Sequence, residues 1–155
     1  MKKPLASSDS PPSLTYFIDR DLGRYQFPNA LRTAGLRIEQ YADHFSDTAL
    51  DEDWLPLVGE RGWIALTHDR RISLNPLQTE VSMRSGVRLF ILRGKVSTHL
   101  LAQNFLTVEP RVRLMVAKHP APFIAKVYAV RNETRRSIRE AVQMYLTAQE
   151  WRSSS

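Results

Sequence analysis

The chain contains no cysteine. That excludes disulfides and thiolate metal sites, and it fits a cytoplasmic protein. No run of about 18 or more apolar residues occurs, so no membrane span is expected. The opening stretch MKKPLASSDSPPS has lysines but no apolar segment behind them, and is not a secretory signal. Its Pro, Ser and charge content predicts a disordered leader over 1–13. No internal repeat is visible. The glycine spacings of a P-loop and of a dinucleotide fold are both missing. His44, His68, His99 and His119 stand in no zinc spacing. Only His68, beside Asp69, holds a position of interest.

What remains is a chain of 155 residues, 43% hydrophobic and 25% charged, which suits one soluble domain with its own core. The net charge of +6 favours polyanionic partners.

Short apolar runs alternate with helical patterns. TYFI (15–18), LRIEQY (36–41), WIALT (63–67), VRLFIL (87–92) and FIAKVYAV (123–130) read as strands. Helices are expected over 22–34, closing at Gly35, and from Asp51, as N-cap, to Gly62. Pro56 should shorten or bend the second of these, and Leu50 can staple onto Leu55. Further helices are expected from Asn75 to Gly86 and from Ser97 to Leu106. A separate piece should run from Pro110 to Lys118. A last helix is expected over 132–151, with Ile138, Val142, Tyr145 and Leu146 on one face, packed on the domain or on a second copy. The alternation predicts an α/β domain with a mainly parallel sheet. Ligands of such sheets bind beyond the carboxyl ends of the strands, where the strand order reverses.

Acids stand at those ends. Asp19 and Asp21 leave the first strand, and Asp69 leaves the third. Asp51 opens a helix that runs back along the third strand, so it starts at the same edge. Each acid has a plain structural reading: a helix cap for Asp19, Asp21 or Asp51, a turn for Asp69. Gathered at one mouth, however, they repel unless a cation neutralises them. Without cysteine the natural choice is a hard divalent ion, Mg²⁺ or Mn²⁺, which suits phosphoryl chemistry. The Asp19-x-Asp21 pair also resembles the haloacid-dehalogenase phosphatases, but Leu22 stands where that family has Thr or Val. A receiver-domain reading lacks its late lysine.

FIDRDL, followed by LDEDWLPLVGERGWIALTHDRRI, resembles the PIN domain in its compact, PIN-like toxin variant. The resemblance covers roughly residues 14–130, leaving 131–155 as a C-terminal helix and tail. It implies a ribonuclease with a five-stranded sheet in the order 3-2-1-4-5. It also implies Mg²⁺ or Mn²⁺ held by clustered acids, and often a protein antitoxin as partner. By motif, Asp19, Asp51 and Asp69 match the catalytic, metal-binding acids. Asp21 matches a position where the variant often has Asn, and is expected to be an auxiliary ligand. Longer PIN domains add an acid on an intervening helix; here Glu39, Asp43 and Asp47 are the candidates, in a strand or loop.

Arg20, Arg24, Arg70 and Arg71 flank the acids and are expected to hold RNA phosphates on either side of the cut. RNETRRSIRE (131–140) groups further arginines, a surface for RNA or an acidic antitoxin segment, or a salt-bridged helix. The reading is therefore an endoribonuclease, a toxin with RNA as substrate, an antitoxin as partner and homodimerisation as an option. Its rivals are a PIN-like module that binds RNA or a protein without cutting, and the phosphatase.

Overall fold

The computed structural model describes residues 14–130 and 137–154. The expected leader and residues 131–136, with Arg135, lie outside them. Six strands form one sheet: β1 (Thr15–Ile18), β2 (Arg37–Gln40), β3 (Ile64–Thr67), β4 (Arg88–Leu92), β5 (Phe123–Val127) and β6 (Val142–Leu146). Their order is β2-β1-β3-β4-β5-β6, parallel throughout except that β6 runs antiparallel to β5. The α/β class with a mainly parallel sheet is as expected. The sheet has six strands instead of five, in the order 2-1-3-4-5-6 instead of 3-2-1-4-5. The reversal lies between β1 and β3, the two strands that end in acids.

Helices cover both faces. Tyr16 and Ile18 point into one layer with α1 (Gln26–Thr33) and α5 (Thr98–Lys118). Phe17 points into the other, against Trp54, Leu55 and Val58 of α2 (Asp51–Arg61) and against residues of α3 (Arg71–Leu74) and α4 (Pro76–Arg84). This is the alternation of a strand buried on both sides. Phe17 stacks on the rings of Trp54 and Trp63, at centroid distances of 5.4 and 6.0 Å.

Three helical expectations need correction. Asp51 is the first residue of α2, and exposed Leu50 takes the N-cap position. Leu50 therefore does not staple onto Leu55; its backbone N–H is bound instead by the Asp53 carboxylate at 2.8 Å. The bounds of α2 are as expected: it carries Pro56 and stops at Arg61, before Gly62. α5, by contrast, runs unbroken through Pro110. A proline removes one helical hydrogen bond. Here it sits on the exposed side, while Leu101, Ala102, Phe105, Val108 and Val112 bury the opposite stripe.

The C-terminal segment differs most. Residues 138–141 form a short helix, α6 (Ile138–Ala141), then β6 begins, and a last helix, α7 (Ala148–Ser153), comes after it. β6 adds a rung to the open edge of β5, with Val142 opposite Val127 and Met144 opposite Ala125. Pairing that edge satisfies backbone groups that a helix would leave to water. The segment packs on its own domain: Tyr145 OH donates to the Ser73 carbonyl at 2.9 Å, and Trp151 Nε1 to Glu80 at 2.9 Å.

Register brings the acids together. Ile18 pairs with both Gln40 and Leu66, so β1 ends one residue before β3 and Asp19 follows beside Thr67. The Asp19 N–H continues the ladder to the Leu66 carbonyl at 3.0 Å. The left-handed turn at Gly62 (φ 70°) reverses α2 into β3, which puts Asp51 at that same edge.

Candidate active site

Asp19 caps a short 3₁₀ turn, Arg20–Leu22. Its Oδ1 accepts from the Arg20 N–H at 2.7 Å, and its Oδ2 from the Thr67 hydroxyl at 2.8 Å. The Asp21 carboxylate turns back over β3 and accepts from the His68 N–H at 3.2 Å. Asp21 Oδ2 is also 3.2 Å from Thr67 Oγ1. The same Thr67 oxygen accepts from the Asp69 N–H at 3.1 Å. Thr67, fully buried, is thus the joint between the acids of both strands. It stands in the Thr-x-Asp motif, but pattern alone assigned it no contact.

Asp51 Oδ1 accepts from Trp54 Nε1 at 3.0 Å. Asp69 is taken by Arg71: Nε to Oδ1 at 2.8 Å and Nη2 to Oδ2 at 2.7 Å. A cleft of about 270 Å³ is lined by Asp19, Arg20, Asp21, Asp51, Trp54, Asp69 and Arg71. All four acids singled out by sequence therefore face one space.

Their protonation reflects it. Burial, then the charge of Asp21, and more weakly that of Asp51, push the Asp19 carboxyl up to about 7, against the Thr67 and Arg20 hydrogen bonds. Burial also raises Asp21, with the Asp69 charge adding to it. Asp69 lies below the ordinary carboxylate value because Arg71 binds its charged form. The donor set is all oxygen and short of positive charge, which fits a hard divalent cation. As they stand, no three acidic or histidine side chains among the described residues enclose an ion. All four acids already have partners: Asp19 is held by Thr67 and the Arg20 N–H, Asp21 by the His68 N–H, Asp51 by Trp54 and Asp69 by Arg71.

The flanking arginines divide. Arg20 is pinned to the 41–49 loop: it stacks on Tyr41 at 5.0 Å and its guanidinium donates to the Asp47 carbonyl. Arg24 lines an adjoining cleft with Arg20, Gln40 and Tyr41. Arg70 and Arg71 line another cleft on the opposite side of Asp69. Glu39 pairs with His44 at 2.7 Å and stays outside the acidic cleft. Asp43 lies in a 3₁₀ turn (Tyr41–Asp43), and Asp47 lines the cleft of Arg24. None of the three supplies a fifth acid.

A family model described as PIN like domain matches residues 14–94. The chain belongs to the PIN-like domain family. The PIN-like match includes all four acids and the four flanking arginines, and ends at the turn after β4. The chain is also 30% identical over 117 residues to "Putative ribonuclease VapC45" of Mycobacterium tuberculosis (strain ATCC 25618 / H37Rv), covering 72% of this chain and 84% of that relative. No solved structure matches. Among the described residues no helix is long and apolar enough to cross a membrane.

Proposed function

We propose that this chain is a metal-dependent endoribonuclease of PIN-like type, the toxin of a toxin–antitoxin pair. The observation that carries the reading is the meeting of Asp19, Asp21, Asp51 and Asp69 at one cleft of a PIN-like domain. The name of the Mycobacterium tuberculosis relative supports ribonuclease chemistry, and the excess of positive charge suits an RNA substrate. An antitoxin would be the protein partner.

In this reading Asp19, Asp51 and Asp69 are the catalytic acids and hold Mg²⁺ or Mn²⁺, with Asp21 auxiliary. When bound, such an ion neutralises phosphate charge and makes water a stronger acid. The chain's own groups do the rest. Thr67 and the Arg20 N–H fix both oxygens of Asp19. A carboxylate of the cluster takes the proton of the attacking water at one of its oxygens. The water oxygen bonds to phosphorus as the bond to the 3′ oxygen breaks, and solvent protonates that leaving oxygen. Arg20, Arg24, Arg70 and Arg71 hold the flanking phosphates.

The second reading is a PIN-like module that binds RNA or a partner without cutting. The Asp69–Arg71 pair favours it, because it engages one of the acids that a cation needs. Incubating purified chain with single-stranded RNA separates the two. Cleavage should require Mg²⁺ or Mn²⁺, stop with EDTA, and be lost in Asp19→Asn and Asp69→Asn but not in Glu39→Gln. RNA left intact under every divalent ion, or normal cutting by Asp19→Asn, overturns the nuclease reading.

A further inference from the structure

Beyond Asp69 the sheet edge turns basic and aromatic. A cleft of about 490 Å³ is lined by His68, Asp69, Arg70, Arg71, Leu92, Arg93, Gly94, Lys95 and Tyr128. Its single carboxylate, Asp69, is already bound by Arg71. Arg70, Arg93 and Lys95 have no carboxylate partner among the described residues. They stand together because β3 and β4 end side by side: Thr67 pairs with Ile91, so the turns at 68–71 and 93–95 face each other. His68 Nε2 lies 3.0 Å from the Gly94 carbonyl and ties the two turns. Tyr128, just past β5, closes the far wall, with the Arg93 guanidinium 5.6 Å from its ring centre. Lys126 stacks on Tyr145 at 4.4 Å nearby, and burial, with the charge of Arg93 added to it, lowers its proton affinity. Cations that repel one another across a groove are relieved by an anion between them.

We propose that this cleft seats the single-stranded RNA on one side of the scissile phosphate, with Arg70, Arg93 and Lys95 on the backbone and Tyr128 beneath a base. A basic groove with an interleaved aromatic ring is the arrangement that holds unpaired nucleotides without reading their sequence. The cleft shares Asp69 and Arg71 with the acidic cleft, so a strand lying in it delivers its next phosphate to the acids. Tyr128 lies beyond the residues matched by the family model. The inference rests on RNA being the ligand of the proposed function, but not on the chain being able to cut it.

The test is binding of a fluorescein-labelled 12-nucleotide single-stranded RNA to the full chain in EDTA, monitored by anisotropy over a range of salt. Arg93→Gln and Lys95→Gln should each weaken binding and lower the slope of log affinity against log salt by about 0.7. Tyr128→Ala should weaken it about tenfold with the slope unchanged, and should not weaken binding of a duplex. The Tyr128 backbone bonds, to the Ala141 carbonyl and from Asn104, survive that substitution. Should Tyr128→Ala melt early, Tyr128→Leu keeps bulk but not the ring, and should lose the same affinity. Lys118→Gln, at the far end of α5, is the control and should change little. If Arg93→Gln and Lys95→Gln bind no more weakly than Lys118→Gln, the inference is overturned, even where wild type cuts RNA. If wild type cuts nothing but these variants lose RNA, the nuclease reading fails and the cleft stands.

Discussion

Arg71 clasps Asp69 through two parallel hydrogen bonds, Nε to Oδ1 at 2.8 Å and Nη2 to Oδ2 at 2.7 Å. The two residues are only two positions apart, and the Arg71 N–H adds a third bond to Oδ1 at 3.0 Å. The carboxylate end is sheltered while the guanidinium is in water, with side-chain exposures of 17% and 75%. The pair thus places a side-chain cation on the oxygens that the proposed reaction assigns to a metal ion.

Arg71→Ala should therefore bind Mn²⁺ more tightly than wild type, because a competing cation leaves Asp69. An exposed pair of this kind adds little to stability, so the melting temperature should hardly move. Arg71→Lys should fall between, since an ammonium cannot grip both oxygens in the same fork. RNA cleavage should nevertheless drop, because Arg71 is also a phosphate contact in the proposed reaction. Titration calorimetry with Mn²⁺ checks the first point; weaker binding by Arg71→Ala would remove Asp69 from the ligand set.

Thr67→Val tests the joint between the strands. The swap keeps shape but removes the hydroxyl that donates to Asp19 and accepts from the Asp69 N–H. Leaving buried polar partners unmet costs roughly 1–3 kcal/mol. Urea unfolding should show a loss of that size, and Thr67→Ser should restore most of it. Equal stability of all three proteins would mean that Thr67 merely fills space.

Gly59→Ala should destabilise the chain although alanine is the better helix former by about 1 kcal/mol. A Cβ built at Gly59 falls 2.0 Å from the Ser85 carbonyl oxygen, where α2 crosses the end of α4. The neighbour is backbone and cannot swing aside, so the helices must part, at a cost of roughly 1–3 kcal/mol. A melting temperature at or above that of wild type would show that the contact relaxes freely.

The acids were legible because their positions obey two local rules. Apolar runs such as TYFI and WIALT become buried strands, and the residues just after such a strand lie at the sheet's carboxyl edge. Strand order was not legible, since it depends on which edges pair and not on any one segment. The C-terminal misreading has a specific cause. Val142 and Leu146 fall on one stripe of a helix, but Val142, Met144 and Leu146 also alternate as in a strand. The free edge of β5 decides between the two. Arg93 and Tyr128 escaped notice because they are distant in sequence and meet only through the pairing of β4 with β5. The hold of Arg71 on Asp69 was equally hidden, because that spacing fits a turn as readily as a site.

The proton balance of the acid pair gives a last prediction. Folding holds the Asp19 carboxyl at about 7, against an ordinary value of 3.8. Between those values the folded chain keeps a proton that the unfolded chain has released. Stability without metal must then fall as pH rises from about 4 to about 7, by roughly 4 kcal/mol for a shift of that size on Asp19. Asp69 works in the opposite sense and in another window. Arg71 lowers it, so its contribution is present above the unfolded value and is lost only in stronger acid. The metal-free protein should consequently be most stable near pH 4 and weaken toward about pH 7. Asp19→Asn should flatten the limb between about pH 4 and pH 7 and match or exceed wild type at its upper end. A cation bound by the same oxygens competes with the proton. In saturating Mn²⁺ the limb should flatten or reverse, because the ion binds more tightly as the proton leaves. Urea midpoints taken with EDTA and with Mn²⁺ at several pH values measure all three slopes. A wild-type stability that rises with pH in EDTA, or an Asp19→Asn slope equal to that of wild type, would show that Asp19 is an ordinary ionised cap.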